Sequence, residues 1–206
     1  MIHLDKTRIC LILLDKININ IVSILLVFVF FNCFQNSYLI LARENPGGFL
    51  EKKDSLIAIL DLNKNLVEAI IFSHTQLGLK AVQIDDHENA IFHFEEILSY
   101  DNKDSVSLYN LNMAKGHKMY LTGNTHKLWD AIQFYSKAAQ ANDKKGEPHY
   151  YIGLSYYKLS DVDFDLIIES YDNALARFLT DQLREEILSK RKKIQARKIK
   201  MEAFWN

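Results

Sequence analysis

Three stretches of this chain repeat one design at helical spacing: HENAIFHFEEIL (87–98), LWDAIQFYSKAA (128–139) and LIIESYDNAL (166–175). A small or aliphatic residue leads each copy (Ala90, Ala131, Ile167), an aromatic follows four residues later (Phe94, Tyr135, Tyr171), and three further on comes Ile97, Ala138 or Ala174. Steps of four and three return to one face of an α-helix. Such a face mixes the smallest side chains with the largest because small residues admit a neighbouring helix while aromatics fill the space beside it. Each copy follows a second amphipathic segment: HTQLGLKAVQID (74–85), LYNLNMAKGHKMYL (108–121) and HYYIGLSYYKLSD (149–161). A helix pair of this size cannot bury its apolar face alone, so a threefold recurrence constrains the chain to a stack of pairs.

Composition agrees with that reading. Seven Gly and two Pro in 206 residues leave too few turn-formers for a sandwich or barrel, so the chain is expected to be all-α. With 49% hydrophobic and 25% charged residues it can bury one sizeable core, which points to a single folded domain with appendages. The paired segments resemble the tetratricopeptide repeat, a helix-turn-helix unit of about 34 residues. Leu77-Gly78 and Ile152-Gly153 match its Leu-Gly pair, Tyr156 matches the first-helix aromatic, and Leu111-Asn112 is the middle counterpart. The second copy carries an extra turn before TGNTHKLW, and the third about two extra residues around SDVDFD. The resemblance implies a right-handed array of about three helix pairs over residues 66–178. Residues 45–65 are a linker with one extra helix (DSLIAILDLN, 54–63), and 179–206 are a basic helix capping the last pair.

The first 44 residues read as a targeting or anchoring segment. From Ile17 to Ala42 no charge occurs for 26 residues, and Ile21–Phe31 is the densest apolar run. A membrane-crossing helix needs about 20 apolar residues, a length reached only by including Asn32, Gln35, Asn36 and Ser37. Lys6, Arg8 and Lys16 against Asp5 and Asp15 weight the N-terminal flank towards positive, which puts the following domain outside the cytoplasm, in the periplasm if the source is bacterial. A basic start before a short apolar run also describes a secretory signal. FFNC (30–33) resembles the lipobox of bacterial lipoproteins, a resemblance that makes Cys33 the lipidation site, although Asn32 stands where Gly or Ala is usual. Anchor, lipoprotein signal and buried core helix all remain open readings. RENPGGFLEKKDS (43–55) reads as the boundary before the domain.

Catalytic chemistry is not expected. The chain has no phosphate loop, nucleophile elbow or His-Glu zinc helix. Its two cysteines, Cys10 and Cys33, lie before the domain, which excludes a disulfide framework or thiolate metal site within it. His87 and His93, six apart, turn to different helix faces, and no third ligand adjoins them in sequence. Asp161, Asp163 and Asp165 alternate like part of a calcium loop but lack its Gly and terminal Glu, so they read as a solvated turn capping the next helix. No catalytic residue, metal or cofactor is assigned.

What the repeat resemblance implies instead is a concave groove on the first helix of each pair that binds a protein or peptide segment. Alignment with the family lines it with Thr75, Leu79, Gln83, Tyr109, Met113, Tyr150, Leu154, Tyr157 and Lys158. Family members that hold the C-terminal carboxylate of chaperones carry Lys, Arg and Asn at these places. Here Thr, Leu, Tyr and Met dominate, so the groove suits an extended segment or an amphipathic helix, unless another helix of the chain already fills it.

Charge is divided unevenly. Residues 180–206 carry eight Lys/Arg against four Asp/Glu (+4), whereas 45–179 carry thirteen against nineteen (−6). SKRKKIQARKIK (189–200) holds seven basic residues on a helix whose Leu183, Ile187, Ile194 and Met201 form a docking stripe. The basic face also suits anionic lipid headgroups. Nucleic acid is not an expected partner, because the preceding domain is acidic.

Overall fold

The structure, a computed structural model, describes residues 37–60 and 63–205. Cys33 and most of the apolar N-terminal run lie outside the described residues. Among those described the protein is all-α, with ten helices and no strand. Four helices come first among the described residues: α1 (Ser37–Glu44), α2 (Pro46–Glu51), α3 (Lys53–Leu60) and α4 (Lys64–Gln83). Six follow: α5 (His87–Tyr100), α6 (Ser105–Thr122), α7 (Thr125–Ala141), α8 (Glu147–Leu159), α9 (Phe164–Leu175) and α10 (Asp181–Trp205). None of them is long and apolar enough to cross a membrane.

The chain divides into two compact units, with the division between Phe72 and Ser73. In the first, the Pro-Gly stretch expected as a boundary forms α2, whose Asn45 side chain accepts from the Gly48 N–H at 2.9 Å and whose Phe49 is buried. The extra helix anticipated over 54–63 is α3.

In the second unit each helix from α5 to α10 packs against the next. Links run from two residues (123–124) to five (142–146), so neighbouring helices run antiparallel. Capping residues set the starts: Asp86, Asp104 and Asn124 each accept from the backbone N–H three residues on. Gly123, at φ 74°, ends α6 in the left-handed conformation.

The pairs meet where a glycine of the first helix lies under an aromatic ring of the second. A Cβ at Gly78 would stand 3.0 Å from Phe94, one at Gly116 2.5 Å from Tyr135, and one at Gly153 2.6 Å from Tyr171. Phe94, Tyr135 and Tyr171 are buried at these crossings together with Ala90, Ala131, Ile167, Ile97, Ala138 and Ala174, so every position of the recurring sequence design faces inward.

The middle crossing corrects the sequence register. Asn112 was expected to replace the glycine, but it is half-buried and its amide donates to the Leu108 carbonyl at 2.7 Å. Gly116, one turn later, is the residue under the ring. From glycine to aromatic the separations are 16 (78 to 94), 19 (116 to 135) and 18 (153 to 171), so the second and third copies carry insertions as expected.

Helix α10 closes the unit. Ile187 and Ile194 are buried, Leu183 is half-buried, and Met201 is exposed. The link into α10 is clipped to the α7–α8 link: Gly146 N–H donates to Phe178 O at 3.0 Å and Phe178 N–H to Lys144 O at 2.9 Å.

Gly116→Ala and Gly153→Ala should each destabilise the protein by about 1–3 kcal/mol through overpacking against fixed rings, outweighing the roughly 1 kcal/mol that Ala gains over Gly in a helix. Gly78→Ala, whose contacts begin at 3.0 Å, should cost less. Urea midpoints of the three variants test the order, and an unchanged or raised midpoint for Gly116→Ala would refute the tight crossing.

Candidate functional site

With the three glycines as register marks, equivalent positions on α4, α6 and α8 follow. Three residues before the glycine stand Thr75, Met113 and Tyr150; one after, Leu79, His117 and Leu154; four after, Val82, Tyr120 and Tyr157; five after, Gln83, Leu121 and Lys158. Of the nine expected groove residues eight fall within this series, Met113 among them but one turn away from its expected equivalents, now level with Thr75 and Tyr150. Tyr109 falls outside it, because the middle register moves by one turn, and Val82, His117, Tyr120 and Leu121 join the series unanticipated.

The face changes along the array. On α4, Leu79 and Gln83 are exposed and Thr75 is half-buried. On α6, Met113 is buried and Leu121 is 68% exposed. On α8, Leu154 is half-buried, while Tyr157 and Lys158 are exposed. Lys158 reaches back to α6, placing Nζ 3.7 Å from the centroid of the Tyr120 ring and donating to the Tyr120 carbonyl at 3.3 Å. Tyr157 is accompanied by Arg197 of α10, whose guanidinium lies 5.9 Å from its ring centroid.

Two tyrosines expected to meet a partner are closed off by the chain itself. Tyr109 is buried; its hydroxyl donates to Glu147 at 3.0 Å and Lys145 lies over its ring at 4.4 Å. Tyr150 is buried under α10 and donates to Glu186 at 2.5 Å. Burial, together with the neighbouring carboxylate in each case, pushes both phenols above their ordinary pKa.

Around α6 the aromatics form a continuous stack. His117 packs edge-on to Tyr135 and Tyr151 and stacks on His87, with ring centroids 5.4, 4.4 and 5.4 Å away respectively. Its Nδ1 lies 3.0 Å from the Tyr135 hydroxyl. Burial, and then the His87 charge, draw its pKa down to about 4 against a smaller opposing effect of Asp85. His93 pairs with His74, Nδ1 to Nδ1 at 3.0 Å. Among the described residues no cluster of three or more His, Cys, Asp or Glu could hold a metal ion.

The acidic turn before α9 does something other than capping. Asp163 occupies the N-cap position without a side-chain capping bond, while Asp161 and Asp165 pair with Arg197 and Lys198 at 2.6 Å each. All three aspartates are exposed, as expected of a solvated turn, but Asp163 makes no side-chain capping bond and the two flanking it are engaged by cations of α10. Arg191 pairs likewise with Asp172, and Lys190 with Glu186 at 3.6 Å. Four of the seven basic residues in 190–200 therefore serve contacts within the chain. Sequence spacing alone could not find these pairs, since three of them join residues at least 19 positions apart. No protein-family model and no curated protein matches the chain.

Because the His117 pKa lies below its ordinary 6.5, the neutral ring is the form the fold stabilises. Its contribution is whole above pH 6.5 and is lost as pH falls from about 6.5 towards 4, amounting to about 3 kcal/mol when complete. Urea midpoints should drop between pH 7.5 and pH 5, and His117→Gln should flatten the drop. Some slope should persist, because burial lowers His93 and His149 in the same direction. An identical slope in wild type and variant would remove His117 as the cause.

Proposed function

We propose that the chain is a non-enzymatic interaction scaffold built of tetratricopeptide-like helix pairs over residues 66–178. Its N-terminal segment tethers it to a membrane with the repeats on the extracytoplasmic side. The observation that carries this reading is the threefold crossing of Gly78, Gly116 and Gly153 under Phe94, Tyr135 and Tyr171. A repeated crossing brings equivalent side chains of α4, α6 and α8 into line, and such a line is what an extended segment or amphipathic helix of another protein can follow. Leu79, Leu121, Leu154 and Tyr157 supply apolar contact at intervals along it, and Lys158 adds a charge. A second reading, an envelope-assembly lipoprotein, is favoured by the FFNC stretch, in which Cys33 would carry lipid.

Full-length protein should sediment with membranes and require detergent for release. A chain that stays soluble after a high-speed spin contradicts the tether. Mass spectrometry of the mature N-terminus separates the two readings: an intact Met1 means an anchor, and lipid on Cys33 means a lipoprotein.

Leu79→Ala combined with Tyr157→Ala should weaken retention of a captured partner at least about tenfold while the melting temperature stays near wild type, because both side chains are exposed. Tyr150→Ala should instead cost about 3–5 kcal/mol of stability, as expected for a buried aromatic. Wild-type retention by the double variant would refute the groove.

A further inference from the structure

The three copies treat the ring over the glycine differently. In the first copy it is Phe94, which has no hydroxyl, and Leu79 stands one residue after the glycine. In the second it is Tyr135, whose hydroxyl bonds to His117 at that same position. The third pairs Tyr171 with Leu154, a side chain that can accept nothing. Tyr171 is 2% exposed; its hydroxyl, which keeps some solvent-facing surface, has no hydrogen-bond partner among the described residues, and the residue lines a cavity of about 240 Å³ with Leu154, Tyr157 and Ile194. The remaining lining groups are cations of α10: Lys190, Lys193 and Arg197. Lys190 is shared with Glu186 and Arg197 with Asp161, whereas Lys193 is exposed and has no ion pair among the described residues.

We propose that this cavity binds a carboxylate of the partner segment, with Tyr171 and Lys193 donating to it and Leu154 and Tyr157 contacting the apolar residues beside it. The inference rests on the reading of α4, α6 and α8 as a groove, and it places an acidic anchor at the groove's α10 end. Its chemistry is one-sided: two phenols, two ammonium groups and a guanidinium can donate, and none of the lining side chains is a carboxylate. Burial raises the Tyr171 pKa, which keeps the hydroxyl a donor at neutral pH. A phenol held beneath an apolar rim, with charge on one wall, favours an anion that arrives with its own apolar neighbours. The cations come from α10, which explains how a first-helix face poor in Lys and Arg can still select an acid.

Fluorescence anisotropy on the full-length protein in neutral detergent tests this with dye-labelled, amidated heptapeptides of Leu and Phe around a central Glu, and the same peptides with central Gln. A third probe keeps the Gln but ends in a free carboxylate. The Glu peptide should bind at least about tenfold more tightly than the Gln peptide. Tyr171→Phe and Lys193→Gln, both compatible with the packing, should erase the difference by weakening the Glu peptide far more than the Gln peptide. Tight binding of the third probe would assign the carboxylate to a chain terminus, and weak binding to a side chain; either supports the cavity as the site. Equal affinity for Glu and Gln peptides, still lowered by Tyr157→Ala, overturns the cavity and leaves the groove standing. Absence of binding by all probes overturns both, and a preference for Glu that survives both substitutions places the acid elsewhere and overturns the proposal.

Discussion

The second unit depends on the contact between a glycine and the ring laid over it. Two helices can approach until their nearest side chains touch, and a missing Cβ lets the ring of the second helix settle almost on the backbone of the first. At Gly116 and Gly153 a Cβ would stand 2.5 and 2.6 Å from ring carbons of Tyr135 and Tyr171. Those rings are buried and hemmed in by Ala138 and Ala174 one turn on, so they have nowhere to retreat. Close approach also sets register, because a ring that fits only over a glycine cannot slide by a turn without meeting a side chain. Packing and alignment therefore have one cause.

That cause explains which parts of the structure were legible in the sequence. Gly78 and Gly153 stand in Leu-Gly and Ile-Gly pairs at a helical distance from their aromatics, and both were placed correctly by pattern. The middle copy offered two candidates one turn apart, Asn112 and Gly116, on nearly the same helix face. Pattern favoured the one preceded by leucine. Packing selects the other, since an Asn side chain cannot fit where the Tyr135 ring lies and instead bonds to its own helix at Leu108. Tyr109 was misplaced for the same reason. Burial of Tyr150 was not foreseen, because α8 is covered there by a helix 36 residues away in sequence, at Glu186.

The terminal helix shows how much of an unusual charge pattern can be internal. A tail of net charge +4 after a body of −6 suggests an external anionic partner, yet Arg191, Arg197 and Lys198 are held by Asp172, Asp161 and Asp165. Such pairs near the surface contribute about 0.2–1 kcal/mol each, whereas burying Ile187 and Ile194 contributes about 1.5–3 kcal/mol apiece. Apolar contact thus docks α10, and the ion pairs fix its rotation and lengthwise position. Rotation also decides what lines the neighbouring cavity: it places Lys190, Lys193 and Arg197 beside Leu154 and Tyr157.

The same rotation separates the two ends of the aligned face. At α4 that face presents Leu79, Val82 and Gln83, with no cation of α10 in its series; at α8 it presents Leu154 and Tyr157 beside a cationic wall. A repeat array in which every pair were identical would bind a segment equally well in either direction and at any offset. Here the substitutions across equivalent positions, Leu79 to His117 to Leu154 and Phe94 to Tyr135 to Tyr171, make each pair chemically distinct. His117 closes the middle hydroxyl, and the lack of such an acceptor leaves the last one available. A crossing that builds the fold can in this way present a hydroxyl unpaired among the described residues at no cost to packing, because the ring is held by its carbon face and only the oxygen differs from Phe94.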